Sequence, residues 1–324
     1  MNTSERKEVK TKNIFTERKI TNMSEEELFR VVPYNREKAD DINDTNYSYW
    51  KSVWYYFTKK KVTVVLMCLF ILLLILSFVC PLIGNHTADA PNPDLAFLSP
   101  NEEYWFGTDN IGRDYWSQVW SASRTSILLA MIVAAGQTFI GVLFGLLWGY
   151  VKKLDWLFTF LFNIIDNVPT IIYLTLISFI IGQGFSIMAV SLILIGWLAT
   201  ALNVRNMVIM IRDREFNLES RCLGTPTRRI LVKNLLPQLI SVLLLALTLS
   251  IPETIAMEST LSFLGLGLGI DTPSLGLLLQ NARRYFIDYP YLLIIPSIVV
   301  SLVTVTFYLV GNAFADASDP KNHR

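Results

Sequence analysis

Two groups of residues in this 324-residue chain carry side chains able to do more than fill space. The first lies in a polar run from Arg212 to Gln238, set between long apolar stretches. Asn217 can act there as an N-cap, because its side chain can accept from the free amides of a first helical turn. Leu218 to Cys222 then makes a short helix, and Gly224 can take the left-handed conformation that ends it. Thr225 caps a second helix with Pro226 at its first position, where a missing N–H costs nothing. The pattern predicts a rigid helix between two turns, showing Leu218 and Leu223 beside Glu219, Ser220 and Arg221. Such a helix suits a groove in a partner protein; the plainer reading is an ordinary membrane-surface loop.

The second group is a set of carboxylates in apolar surroundings: Asp166, Glu253 and Glu258. An ionisable group there lines a cavity or has a partner. Asp166 and Glu253 are candidates for lining a translocation pathway, and helix–helix hydrogen bonding or proximity to the outer interface is the alternative. Arg124 is expected to snorkel or to pair with an acid. Other chemistry finds no support. There is no phosphate-binding GxxxxGK[ST] run, so no nucleotide-hydrolysing or other catalytic residue is expected in this chain. Cys68, Cys80 and Cys222, with His86 and His323, have the spacing of neither a metal site nor a disulfide framework, so no metal or cofactor is expected. A net charge of +1 gives no reason to expect nucleic acid.

The elements that must position these residues are membrane spans. The chain is 52% hydrophobic and 17% charged, with a mean hydropathy of +0.41, and its charges crowd ahead of Val62 and into a few loops. Val62 to Pro81 holds no charge. At about 1.5 Å per residue that length covers the ~30 Å of hydrocarbon. This first apolar run begins so late that it reads as a permanent span, not a cleaved signal peptide. Further spans are predicted near 125–150, 154–181 with a break at Pro169, 185–210, 237–261 and 291–314. The fold class is therefore all-α integral membrane with about six transmembrane helices. Gly141, Gly145 and Gly149 repeat the small-xxx-small pattern of close helix packing. The organisation reads as a segment 1–61, a first span 62–84, an outer loop 85–124, a membrane core 125–316 with its loop 211–236, and a tail 317–324. Tyr47 to Phe57 is dense in aromatics and precedes Lys59, Lys60 and Lys61, which suggests an interfacial helix at the lipid headgroups or one packed on protein. Lysine and arginine cluster on the side of both termini and of the 211–236 loop, so that side is expected to be cytoplasmic.

Here the sequence resembles a known family. Leu218 to Pro237 is similar to the EAA loop in permease subunits of binding-protein-dependent ABC importers, with Gly224 and Leu236–Pro237 in place. The Glu-Ala-Ala positions hold Leu218, Glu219 and Ser220, so a role needing a carboxylate at 218 does not carry over. Phe106 to Ala130, with Gly107, Asp109, Arg113, Asp114, Arg124 and Ser126, resembles the segment after the first span of the oligopeptide and dipeptide permeases. The run around Asp166 and Pro169, the stretch Glu258 to Leu268, and ADASDP at Ala315 to Pro320 are similar too. The C-type subunit of the two permeases fits best, and the LESRCLGTPT wording looks like that of Gram-positive members.

The resemblance implies a type I ABC importer permease fold of the methionine-importer kind, in a bacterial plasma membrane. It implies a second permease, two ATPases that use ATP and magnesium, an external substrate-binding lipoprotein and a peptide cargo. It also implies that Leu218 to Gly224 and Pro226 dock on an ATPase. Two other readings stand beside it: an ion-coupled secondary transporter using Asp166 or the glutamates, and a membrane scaffold. Within the family, nickel or another small solute is an alternative cargo.

Overall fold

The computed structural model describes residues 49–83, 91–269 and 272–318. The polar segment ahead of Tyr49, Gly84, His86 and Asp89, and the tail with Lys321, His323 and Arg324 lie outside the described residues. The helices are α1 (Tyr49–Lys59), α2 (Lys61–Ile83), α3 (Tyr115–Tyr150), α4 (Lys152–Asp166), α5 (Thr170–Ile181) and α6 (Phe185–Arg212). They continue with α7 (Glu215–Cys222), α8 (Thr227–Arg229), α9 (Leu236–Phe263), α10 (Leu275–Ala282) and α11 (Tyr291–Ser318). Among the described residues there is no strand, only an isolated bridge between Thr108 and Asp114.

Among the described residues, five helical segments are long and apolar enough to cross a membrane: Lys61–Pro81, Tyr115–Tyr150, Phe185–Arg212, Thr227–Phe263 and Tyr291–Ser318. The pair α4 and α5 makes a sixth if counted as one span, and it bends by 78° at its break. Pro169 explains the break: it has no N–H to donate and pushes the residue before it out of the helical region. α3 has 36 residues. At about 1.5 Å each it is roughly 54 Å long, well beyond the hydrocarbon thickness. It begins at Tyr115, ahead of the expected Thr125, because Asp114 caps it by accepting from Ser117 N at 3.0 Å.

Lipid gives no hydrophobic drive for helix association, so close backbone approach has to supply the contact. The glycine repeat of α3 does this against α6. A Cβ on Gly145 would lie 2.6 Å from the Ala201 carbonyl oxygen, and one on Gly149 would lie 2.7 Å from Val208 Cβ. The main apolar core gathers Leu73 of α2, Ile127 of α3, Ile255 of α9, Leu278 of α10 and Val303 of α11. Arg124 lies over the Phe78 ring at 5.6 Å, so it packs on an aromatic face of α2.

Helix α1 has a packed face and an open one. Val53 and Phe57 are buried against Ala317 and Phe314 of α11, whereas Trp54 and Tyr55 stay exposed. On the opposite side, the segment 91–114 folds around Asp109. This carboxylate accepts from Ile111 N, Arg113 N, Arg113 Nε and Gln118 Nε2 at 2.7 to 3.0 Å. Phe97 stacks on Tyr289 with ring centres 4.2 Å apart, and Tyr291 Oη reaches the carbonyls of Leu98 and Thr108. The segment is thereby tied to the start of α11.

Candidate functional site

The polar run between α6 and α9 folds into a knob. α7 starts one turn earlier than the sequence pattern suggests, and Arg214, not Asn217, is its N-cap. Asn217 is inside the helix and fully buried. Its Nδ2 donates to the Ile211 carbonyl at 2.8 Å, and its Oδ1 accepts from Asn234 Nδ2 at 3.2 Å. The partner across the loop, not the free amides of a first turn, decides where this amide points. Asn234 Nδ2 also reaches Ser220 Oγ at 3.1 Å.

The end of α7 follows the expected pattern. Gly224 has φ +73, and its N–H donates to Arg221 O at 2.9 Å while Thr225 N–H donates to Ser220 O at 3.0 Å. These two bonds form a Schellman motif, which satisfies carbonyls the helix leaves open. The second helix then starts one residue later than expected, with Pro226 as its N-cap in extended conformation. From Ile230 to Leu235 the chain widens into a π-helix before Pro237. Pro237 cannot donate to the turn before it, and a widened turn absorbs that missing bond. Ile230 and Leu235 pack on Leu146 of α3 and Val204 and Val208 of α6, rooting the knob in the membrane core.

Arg221 is the main polar anchor. Its guanidinium lies 5.0 Å over the Tyr150 ring, donates to the Arg212 carbonyl at 3.0 Å and to Tyr150 Oη at 3.2 Å, and pairs with Asp213 at 3.4 Å. Arg212 in turn donates to the Gly149 carbonyl at 2.6 Å and to Asp213 at 3.2 Å. Burial pushes the Asp213 carboxyl up, but the hydrogen bond from Arg212 and the charges of Arg212, Arg221 and Lys152 outweigh it and hold it below the usual carboxylate range.

The seven residues singled out in the sequence thus divide. Leu218, Glu219, Leu223, Gly224 and Pro226 are exposed, with Leu218 at 44% and Leu223 at 85%. Ser220 and Arg221 turn inward and hold the helix to α3 and to the loop. Sequence reasoning missed Asn217 as a buried residue, Asn234, Tyr150, Arg212 and Asp213. The one usable signal was Asn234, a polar residue in the apolar run ILVKNL that needs a partner if buried.

The membrane carboxylates also divide. Asp166 ends α4 at the 78° break, and Glu253 follows Pro252 within α9. Both are exposed, and neither carboxylate has a hydrogen bond or ion pair among the described residues. The structure does not join them to each other. Glu258 is fully buried and accepts from Ser126 Oγ at 3.1 Å and Ser262 Oγ at 2.7 Å. Ser126 Oγ also accepts from Leu275 N at 3.2 Å, so this cluster pins α3, α9 and α10 together. For Glu258 the helix-joining role fits.

Long apolar helices around small-residue contacts define a polytopic membrane protein, and its knob displays an apolar ledge. Residues 141–324 match the model of the binding-protein-dependent transport system inner membrane component. Residues 48–100 match the N-terminal transmembrane domain of oligopeptide transport permease C. The chain is 36% identical, over 93% of its length and 99% of the relative's, to the oligopeptide transport system permease protein AmiD of Streptococcus pneumoniae. It is 28% identical, over 94% of its length and 95% of the relative's, to the dipeptide transport system permease protein DppC of Bacillus subtilis. A solved structure of the MetNI methionine ABC transporter in inward-facing conformations superposes with a TM-score of 0.51 at 16% identity, covering 62% of this chain and 96% of that one.

The fold is that of a type I ABC importer permease. The chain belongs to the family of binding-protein-dependent transport system inner membrane components, as a multi-pass transport subunit and not an enzyme.

Proposed function

We propose that this chain is one of two permease subunits of an importer that takes up oligopeptides or dipeptides, driven by ATP and magnesium in two separate ATPase subunits. An external binding lipoprotein delivers the cargo. The peptide cargo is supported by the relatives, which carry oligopeptide and dipeptide transport in their names over nearly the full chain. Coupling rests on one observation: α7 is anchored from below by Asn217 and Arg221 while Leu218 and Leu223 stay exposed. A stiff helix with an apolar ledge transmits displacement; a loose loop would absorb it.

In this reading Leu218, Glu219 and Leu223 enter a groove on an ATPase, and Gly224 and Pro226 fix the angle of the ledge. Closure of the ATPases moves the knob, and its root at Ile230 and Leu235 carries the motion into α3 and α6. Both termini and the knob lie in the cytoplasm. Asp166 and Glu253 line the pathway completed by the second permease, where a carboxylate can meet a peptide amino terminus.

The test is Leu223→Asp. Placing a charge in a desolvated groove removes uptake of a labelled peptide and copurification of the ATPases, while membrane insertion and the thermal midpoint of the chain stay unchanged. Undiminished uptake in that variant, or uptake driven by an ion gradient after both ATPases are disabled, overturns the reading.

A further inference from the structure

The junction of α1, α2 and the end of α11 forms an open cleft of about 690 Å³, lined among others by Phe57, Lys59, Lys60, Thr63, Ala313 and Asp316. That volume lies within the range of small-ligand pockets, about 300–1,000 Å³. Lys60 Nζ is 3.8 Å from Asp316, and both side chains are 71% exposed. A pair so exposed is weak and readily exchanged for a better one. Lys59 Nζ stands over the rings of Tyr55 and Tyr56 at 5.8 and 5.7 Å, which steer the ammonium to one place. Among the described residues, neither Lys59 nor the adjacent Lys61 has an acid partner. Two cations against one acid face the cleft, with a third cation beside it.

Beside these charges the surface changes character. Val62 and Val65 at the start of the α2 span are 70% and 67% exposed, and Trp54 and Tyr55 are 60% exposed. Tryptophan and tyrosine favour the headgroup level of a bilayer. A free phosphate would use the lysines and leave the valines bare, and an acidic protein segment would have to lie against the apolar span. A ligand with a phosphate head and alkyl tails satisfies both surfaces at once.

We propose that this cleft is a binding site for the headgroup of an anionic glycerophospholipid, its phosphate between Lys59 and Lys60 and its acyl chains along the Val62–Val65 face of α2. The bound lipid fastens α1 to the end of α11 beside the contact of Phe57 with Phe314.

The test uses the full-length chain in the assembly it forms, in neutral detergent, titrated with phosphatidylglycerol or phosphatidylcholine and read by native mass spectrometry. Phosphatidylglycerol is retained in preference, and K59Q/K60Q/K61Q lowers its retention by about fivefold for each lysine neutralised. R283Q/R284Q, which removes charge on the opposite side, leaves retention unchanged. Ala313→Trp fills the cleft at constant charge and lowers retention too, so a fold defect in the triple variant does not decide the outcome. Equal retention of the two lipids, full retention in both cleft variants, or displacement of phosphatidylglycerol by millimolar inorganic phosphate overturns the proposal.

Discussion

Asn217 illustrates how much one buried amide can decide. The side chain looks like a helix cap in the sequence, because asparagine before an apolar run usually is one. In the structure it joins the Ile211 carbonyl to Asn234, holding the two arms of the knob together. Asn217→Ala removes one bond from each of those groups, which keep Arg214 N and Ser220 Oγ as partners, at a cost of about 0.5–1.5 kcal/mol per bond lost. The expected outcome is faster amide hydrogen exchange across Glu215–Cys222 with no change in α3. Exchange equal to that of the parent chain would show that the amide bonds contribute nothing. Arg221 belongs to the same scale. Its position in the loop invites a role at an interface, yet its hydrogen bonds to Tyr150 and to the Arg212 carbonyl make it part of the foundation.

Helices meet here by two different devices. α3 and α6 approach through glycines, and α3, α9 and α10 through the Glu258–Ser126–Ser262 cluster. The first device was readable in the sequence, since Gly141, Gly145 and Gly149 share one face of a helix. Adding a methyl at Gly145 forces α3 and α6 apart, because the Ala201 carbonyl is backbone and cannot swing away. Gly145→Ala is therefore expected to destabilise the chain by about 1–3 kcal/mol, read as a lower thermal midpoint in detergent. The second device was not readable. Glu258 and Ser126 are 132 positions apart, and no periodicity links them.

For the molecule as a whole, the side of the membrane on which the knob lies is testable with a thiol already present. Cys222 is exposed at the end of α7, Cys68 is exposed on the apolar α2 span, and Cys80 is half-buried. A charged, membrane-impermeant maleimide should label Cys222 in inside-out vesicles and leave it unlabelled in right-side-out vesicles, with Cys222→Ser removing the signal. Labelling of Cys222 from the outside reverses the proposed orientation.

The spans, the break at Pro169, the left-handed end at Gly224 and the ledge of Leu218 and Leu223 were all set by the sequence itself. Each depends on residues close along the chain, through hydropathy, a missing donor or a favourable φ. What only the tertiary structure decided was partnership: Asn217 with Asn234, Arg221 with Tyr150, Glu258 with Ser126. A buried polar group takes whatever partner the packing of distant segments brings within about 3 Å, and local patterns carry no record of that distance.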